Sequence, residues 1–418
     1  MLGLITIALG LFAAVFFLRD KFQLNTIGNL FLLLITYYAL CVPLDILFGI
    51  QIHTNEKLLF LNYNMSSSHS TILWILMFYS VFALSFFITY KKTKSSTTQP
   101  TKFYEKICPH ISTLVVINLS LFVFYFLGFY GVTRTNKVLL IQDSVYYRFI
   151  NFLVPVLFCL NSYFICYAKK RQHAFWVMMI AIAGVLLTGG RTIVVYFALL
   201  YMVRFKPSLK LWQKISLVPA FLVFAIFFKG IYNNFLNLLK GYPMSPILSD
   251  QYIIGLSRIE GVMSFSIFGT LLKKYEFNSP MEIWSNFLNL LQIGLFRGAF
   301  SDPPRTMAEK YLEILAPEVA KEGGGIAFSG LVDVWLNLGI TGFVVFGALF
   351  GFVFKKVDSN TKSLWMPFVL LVALRFLRSD FASMYKRFFV INGGVMIFIV
   401  CTLYLWRLYM ENKIERTY

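Results

Sequence analysis

Long apolar runs are the feature that most constrains the fold of this chain. Eleven runs carry few or no charges and are long enough, or nearly so, to cross the roughly 30 Å of hydrocarbon in a bilayer. They lie at 2–18, 29–50, 70–90, 111–131, 149–168, 173–188, 191–204, 215–231, 328–354, 364–377 and 388–406. Lipid offers no hydrogen-bond partner to an open strand edge, so runs this apolar predict helices. We therefore expect an all-α polytopic membrane protein, with residues 1–418 forming a single integral membrane domain.

The distribution of charge predicts how these helices are oriented. The chain has a net charge of +19, which in a soluble protein would suggest a nucleic-acid partner. Here 20 lysines and arginines, against five acidic residues, fall in alternate connections, at 19–28, 91–110, 169–173, 204–214, 355–363 and 407–418. The positive-inside rule places these segments in the cytoplasm, with the N-terminus outside and the C-terminus inside. No nucleic-acid partner is expected, and run 2–18 is interpreted as a retained span because no cation precedes it.

A short polar break divides the apolar stretch 175–205. The break reads Thr188-Gly189-Gly190-Arg191-Thr192, and both flanks are basic. One overlong helix is an alternative, but a hairpin keeps both flanks inside and places Arg191 at the outer turn. Gly189 and Gly190 would let the backbone approach a ligand, and a charge in so short a hairpin needs a partner. Asp333 is a candidate partner or proton acceptor, with a structural ion pair as the alternative.

The segment 232–327 is far longer than any other connection and is predicted to lie outside. Such loops are functional or disordered, and this one is too apolar for disorder. Its stretches 251–272 and 281–296 are apolar enough to lie in the interface or to cross, which would raise the count to thirteen spans. Residues 301–304, Ser-Asp-Pro-Pro, predict the start of an amphipathic helix over 306–315. Its apolar face would be formed by Met307, Tyr311, Leu312 and Leu315.

Several catalytic signatures do not occur in the sequence. We find no GxxxxGK[ST] phosphate loop, no HExxH and no DxD, and the five cysteines show no metal-ligand spacing. All four histidines lie outside the large loop. No metal and no cofactor are therefore expected.

Arginines on the predicted outer side are the candidates for chemistry. A guanidinium is always charged and binds phosphate oxygens in pairs, so a cluster near the membrane suits a lipid diphosphate. The alternative for each arginine is that its side chain snorkels to lipid headgroups. For Arg378, a local ion pair with Asp380 is a further alternative. We predict that Arg191, Arg258 and Arg305 act in catalysis. Substrate binding is predicted for Gly189, Gly190, Arg297, Asp333 and Arg378.

Two patches of sequence carry a resemblance to a known family. They are the Gly-Gly-Arg turn at 189–191 and, after the large loop, GGGIAFSGLVDVWLNLGITG at 323–342. With the layout of most of the chain, they resemble the O-antigen polymerase (Wzy-type) family of bacterial inner-membrane proteins. Members rely on an arginine followed eleven residues later by glycine, a spacing that Arg258 and Gly269 share.

The resemblance implies a metal-independent glycosyltransferase that works on the periplasmic side. It would move a growing glycan from undecaprenyl diphosphate to a new undecaprenyl-diphosphate-linked repeat unit. Its other partners would be membrane lipids and a chain-length regulator protein. An O-antigen ligase and a lipid-linked oligosaccharide flippase or transporter are the alternatives. Ligases resemble one another in a histidine in the large loop, and no histidine follows His173 here.

Overall fold

The computed structural model describes residues 26–47, 69–93, 102–128, 144–188, 191–206, 259–282, 306–315, 328–360 and 362–415, with a few isolated positions. Within these ranges every regular element is helical. The elements are α1 Ile27–Leu47, α2 His69–Lys92, α3 Lys102–Lys106, α4 Ile111–Gly128, α5 Val145–Tyr167, α6 Arg171–Thr188, α7 Arg191–Phe205, α8 Ile259–Lys274, α9 Met307–Leu315, α10 Gly330–Ser359, α11 Met366–Arg375, α12 Phe381–Met384, a π-helix Tyr385–Asn392 and α13 Gly393–Glu415.

Nine of the eleven predicted runs coincide with described helices, while runs 2–18 and 215–231 lie outside the described residues. In the described part of the chain, four helices are long and apolar enough to cross a membrane: Ser70–Lys92, Val145–Tyr167, Gly330–Ser359 and Phe381–Asn412. The apolar stretches Ile27–Leu40, Ile111–Tyr125, Ile193–Phe205 and Met366–Arg375 are shorter. The prediction of an α-helical membrane protein is therefore confirmed by the helical structure and by the length and composition of these helices.

The stretch 175–205 forms the predicted hairpin. Helix α6 ends at Thr188, α7 begins at Arg191, and the two helices pack against each other. The Arg171 side chain at the start of α6 donates a 2.9 Å hydrogen bond to the Tyr201 hydroxyl near the end of α7. The two limbs are therefore antiparallel, and one overlong helix is the wrong alternative.

Helix α10 reverses direction at Gly339, whose backbone has φ 59° and ψ −146°. Val334 and Gly342 meet across the reversal, since a methyl group added at Gly342 would lie 2.7 Å from the Val334 side chain. Residues further from Gly339 also meet, on either side of Phe376. The Gly330 amide donates a hydrogen bond to the Phe376 carbonyl, and the Phe376 ring packs on Phe350 with centroids 4.7 Å apart. The predicted run 328–354 is therefore not one straight helix: residues 330–338 form a first arm that folds back on a second arm, residues 340–359.

The second arm of α10 packs along α2 through two glycines. A methyl group at Gly347 would lie 2.7 Å from the Phe82 carbonyl oxygen, and one at Gly351 would overlap that of Phe86. Small residues four apart allow helix backbones to approach closely in membranes. The Ser85 hydroxyl uses this proximity to donate a 2.7 Å hydrogen bond to the Val344 carbonyl. Both helices run in the same direction, as the predicted orientation requires of these two spans.

Segments predicted to be cytoplasmic meet at one end of the bundle. The Asp358 carboxylate accepts hydrogen bonds from the backbone amides of Ile27 and Gly28, at 2.7 and 2.9 Å, and from the Tyr90 hydroxyl at 2.7 Å. It thereby caps α1 and joins it to α2 and α10. Nearby in the sequence, Lys362 forms an ion pair with Glu105 of α3.

Helix α11 is ten residues long and so spans about 15 Å, half of a bilayer. In the segment that follows it, 376–381, Phe376 and Asp380 are fully buried. We call residues 376–381 the hub, because α8, α9 and the first arm of α10 all form hydrogen bonds with it.

Parts of the predicted large loop are folded into the bundle. Helix α8 packs against α1 and α2, and its Phe268 stacks on Phe78 with centroids 5.7 Å apart. Helix α9 forms as predicted, with Met307, Tyr311 and Leu312 buried. Two parts of the predicted large outer loop therefore contribute to the core.

Candidate functional site

The hub receives backbone contacts from the first arm of α10 and from α8. The Gly330 amide donates a 2.6 Å hydrogen bond to the Phe376 carbonyl. The Ser264 hydroxyl of α8 donates to the carbonyl of Leu377 at 3.4 Å. These carbonyls directly follow α11, so the other helices satisfy acceptors that the end of α11 leaves open.

Asp333 connects the first arm of α10 to the hub. Its side chain is only 1% exposed. Its Oδ1 accepts a 2.7 Å hydrogen bond from the Asn337 amide one turn later, and its Oδ2 accepts a 2.8 Å bond from the backbone amide of Phe381. A buried carboxylate needs such donors, because burial without them is costly. The hydrogen bonds explain how this acid is accommodated in an apolar core.

Asp380 connects the hub to α9. It has no exposed surface, and its Oδ2 accepts a 2.8 Å hydrogen bond from the Ala308 backbone amide. Its Oδ1 accepts a 2.6 Å bond from the Ser383 amide, so Asp380 is the N-cap of α12. One carboxylate thus binds free amides at the beginning of two helices.

The electrostatics of the site follow from these helix ends. The N-terminus of a helix carries a partial positive charge, and carboxylates near it are stabilised. Asp333 lies in the first turn of α10, and Asp380 lies at the N-termini of α9 and α12. The short helices therefore bring partial positive charge to the two acids, and Arg378, half-buried, lies in the same segment as Asp380.

Two hydrogen bonds from the loop after α8 reach the break in α10. The Ser279 hydroxyl donates a 2.6 Å hydrogen bond to the Trp335 carbonyl, and the Glu282 amide donates a 3.0 Å bond to that of Leu336. Both carbonyls would bind amides in an unbroken helix. The loop after α8 therefore satisfies the backbone groups that the reversal at Gly339 leaves open.

The Glu282 carboxylate joins this loop to α9. It forms an ion pair with Lys310, with 2.6 Å between Nζ and Oε2, and accepts a 2.9 Å hydrogen bond from the Tyr311 hydroxyl. The Tyr311 hydroxyl also contacts that of Tyr275 at 2.9 Å. Burial raises the pKa of Tyr311 well above its usual range, and its hydrogen bonds with Tyr275 and Glu282 add to the effect. Tyr311 therefore stays protonated and remains a donor to Glu282 at neutral pH.

The predicted site residues are described to different extents. Asp333 and Arg378 are both described, and Asp333 binds the amide of Phe381, three residues after Arg378. Arg191 begins α7, but its side chain lies outside the described residues. The other predicted site residues also lie outside them: Gly189, Gly190, Arg258, Arg297 and Arg305. The Asp380 carboxylate, named as the alternative partner of Arg378, accepts hydrogen bonds from two backbone amides.

Sequence reasoning missed three contributors to the site. Asn337 holds Asp333 from one turn away, a spacing of four that places two side chains on one helix face. Asp380 could have been recognised as an N-cap, since it directly precedes α12. Helix α9 runs over Met307–Leu315, and its predicted start at 301–304 lies outside the described residues. Thr306 and Glu309 form a capping box in which each side chain binds the other's amide, at 3.2 and 2.7 Å.

Among the described residues, no group of three histidine, cysteine or acidic side chains is arranged to hold a metal ion. Comparison with protein-family models, with curated proteins and with solved structures found no significant match.

The described site is a buried hydrogen-bond network that joins short helices beside Arg378. Its carboxylates are held by fixed donors, which suits them to positioning other groups.

Proposed function

We propose that this protein is an integral inner-membrane polymerase of undecaprenyl-diphosphate-linked oligosaccharide repeat units in bacterial surface polysaccharide synthesis. It would transfer the growing glycan to a new lipid-linked unit. The proposal rests on the Gly-Gly-Arg turn and the 323–342 patch, together with the predicted outer arginines.

The folding of the large segment into the bundle is the observation that carries the proposal. Helices α8 and α9 and the first arm of α10 all dock on the hub, through Leu377, Asp380 and Phe376 respectively. A lipid diphosphate places its scissile bond at the membrane boundary, so its enzyme needs a structured site there. Helices that are held against the hub by buried hydrogen bonds support such a site, because they give this part of the chain a fixed structure.

The chemistry would be electrostatic. The acceptor hydroxyl would attack the anomeric carbon as the lipid diphosphate leaves, through an oxocarbenium-like transition state. Negative charge develops on the diphosphate, so preorganised arginines would stabilise the transition state. Arg191, Arg258 and Arg305 would do this, with Arg297 and Arg378 binding the diphosphate. No metal and no nucleotide cofactor enters this mechanism.

Gene deletion in the source bacterium separates the proposal from its neighbours. Without a polymerase, surface lipopolysaccharide or capsule should carry at most one repeat unit. Loss of every repeat unit would instead indicate a ligase or a flippase. Complementation with Arg191→Lys tests the bidentate role: we expect short chains with normal membrane insertion, whereas full chain length would contradict it.

A lipid-linked oligosaccharide transporter is the second candidate. Transporter binding sites are often built from broken helices, and α10 is broken at Gly339. The two candidates differ in vitro: a polymerase lengthens glycans in detergent solution, where no membrane separates two compartments, while a transporter leaves their length unchanged.

A further inference from the structure

The hub joins three short helices in a continuous chain of hydrogen bonds. Asp333 of α10 binds the amide of Phe381, the first residue of α12. Asp380, next to Phe381, binds the amide of Ala308 in α9. The first arm of α10 and helix α9 are therefore attached to neighbouring residues of the hub.

Polar contacts attach α9 both in its middle and at its beginning. In the middle, Lys310 and Tyr311 bind Glu282. At its beginning, Asp380 binds Ala308, beside the buried Met307. Thr306 and Glu309 cap each other within α9 and so hold no other helix. Asp380 is thus the side chain that connects the start of α9 to the hub.

From these contacts we infer that Asp380 is a positioning residue, which docks the start of α9 against the hub. Arg305 immediately precedes the cap of α9, and Arg378 is two residues before Asp380. The carboxylate therefore fixes the part of the chain that continues from Arg305 relative to the segment that carries Arg378. The docking follows from the contacts alone, while its consequence for catalysis rests on the proposed polymerase function.

A competing role for Asp380 is to cap α12 alone, through the Ser383 amide. The two roles use different oxygens, so they can be separated. Ala308→Pro removes the amide that Asp380 binds in α9 and leaves the cap of α12 intact. Proline is tolerated in the first turn of a helix, so α9 itself should still form.

The docking test uses thiol accessibility and needs no activity. Met307 and Met384 are 2% and 3% exposed, and each is replaced singly by cysteine in a background in which the five native cysteines are serine. In purified protein, N-ethylmaleimide should label both thiols slowly. With Asp380→Ala or Ala308→Pro, we expect the Met307→Cys thiol to react about tenfold faster or more, because a buried charge-assisted hydrogen bond is lost.

The second thiol reports on the cap of α12. Ala308→Pro should leave labelling of Met384→Cys unchanged. Unchanged labelling of Met307→Cys in both variants would overturn the inference, as would faster labelling of Met384→Cys alone. Asp380→Asn keeps the side-chain size and one carbonyl acceptor, so it serves if Asp380→Ala does not fold. It should give an intermediate rate of labelling at Met307→Cys.

A kinetic assay tests the consequence of this docking for catalysis. In a repeat-unit polymerisation assay, Ala308→Pro should lower kcat/KM per folded molecule by about tenfold or more, since misplacing binding groups is costly in rate. Asp358→Asn is the matched control, because Asp358 is also a buried carboxylate that binds backbone amides, at the other end of the bundle. It should reduce the amount of folded protein and leave kcat/KM unchanged. Equal effects of the two variants would overturn the catalytic part, while the labelling result would stand by itself if no polymerase activity were found.

Discussion

The Asp333 carboxylate lies 2.8 Å from the backbone nitrogen of Phe381 and accepts its hydrogen bond. This contact joins the first arm of α10 to the last helical stretch of the chain. It gives a buried acid in the 323–342 patch a defined structural partner, with Asn337 as the second donor.

Substitution of Asp333 should destabilise the protein. Asp333→Ala removes the acceptor of the Phe381 amide, at a cost of about 1–3 kcal/mol, whereas the Asn337 amide keeps the backbone carbonyl of residue 333 as an acceptor. Asp333→Asn should cost less, because one carbonyl oxygen remains. The measurement is the melting temperature in detergent, detected as the temperature at which the monodisperse gel-filtration peak is lost. Equal melting temperatures for the parent and Asp333→Ala would contradict this role.

The close packing of α10 on α2 predicts a sharp response to one added methyl group. Gly347→Ala places a methyl group 2.7 Å from the Phe82 carbonyl oxygen, and Gly351→Ala meets that of Phe86. We expect each to destabilise the fold by about 1–3 kcal/mol, as overpacking does. Gly394→Ala is the control, since nothing lies within 4 Å of the added methyl group. A control that unfolds at a lower temperature than either variant would refute the packing.

The reversal of α10 predicts that Gly339 cannot be replaced without strain. Its φ of 59° with ψ of −146° belongs to a region that is essentially restricted to glycine. Gly339→Ala should therefore cost about 1–3 kcal/mol. Thermal unfolding beside Gly394→Ala measures this cost. If α10 were straight at this position, Gly339→Ala would raise the melting temperature, because alanine favours a helix over glycine.

The ion pair between Glu105 and Lys362 predicts a small dependence of stability on pH. The hydrogen bond from Lys362 lowers the pKa of Glu105 below its ordinary value. The pair therefore stabilises the fold above the unfolded-state pKa of about 4.3, and this contribution is lost as the pH falls through the lower folded-state pKa. Both side chains are partly exposed, at 29% for Lys362 and 25% for Glu105. The contribution should thus be about 1 kcal/mol or less.

Glu105→Gln and Lys362→Gln test this pair in a double-mutant cycle. Each should lower the melting temperature slightly at pH 7, and the double variant should add little to either. The difference from the parent should shrink on acidification from about pH 5 to pH 3. A difference that grows in acid would show that the sign is wrong.

Hydropathy predicted where helices form but not the reversal within α10. The run 328–354 is largely apolar on both sides of Gly339, and hydropathy reports the cost of transfer into lipid and not the direction of the chain. The reversal depends on Gly339 and on acceptors freed at Trp335 and Leu336, which Ser279 and Glu282 satisfy from a distant loop. A long-range contact of this kind leaves no local pattern.

The site was partly visible in the sequence. Asp333 stood out as an acid in an apolar run, and the face of α9 followed from its periodicity. The partners of the two acids are backbone amides at helix ends, at Phe381, Ser383 and Ala308. Which amides meet which carboxylate is decided by packing between helices, so residue types and their spacing could not predict it.

The most direct test of the proposed function is polymerisation by the purified protein. The protein is incubated in detergent with an undecaprenyl-diphosphate-linked oligosaccharide repeat unit from its own organism, without nucleotide and in the presence of a metal chelator. We predict a ladder of products that differ by one repeat unit, and its loss with Arg191→Lys. A correctly folded protein that leaves the substrate as single units would contradict the proposed polymerase function.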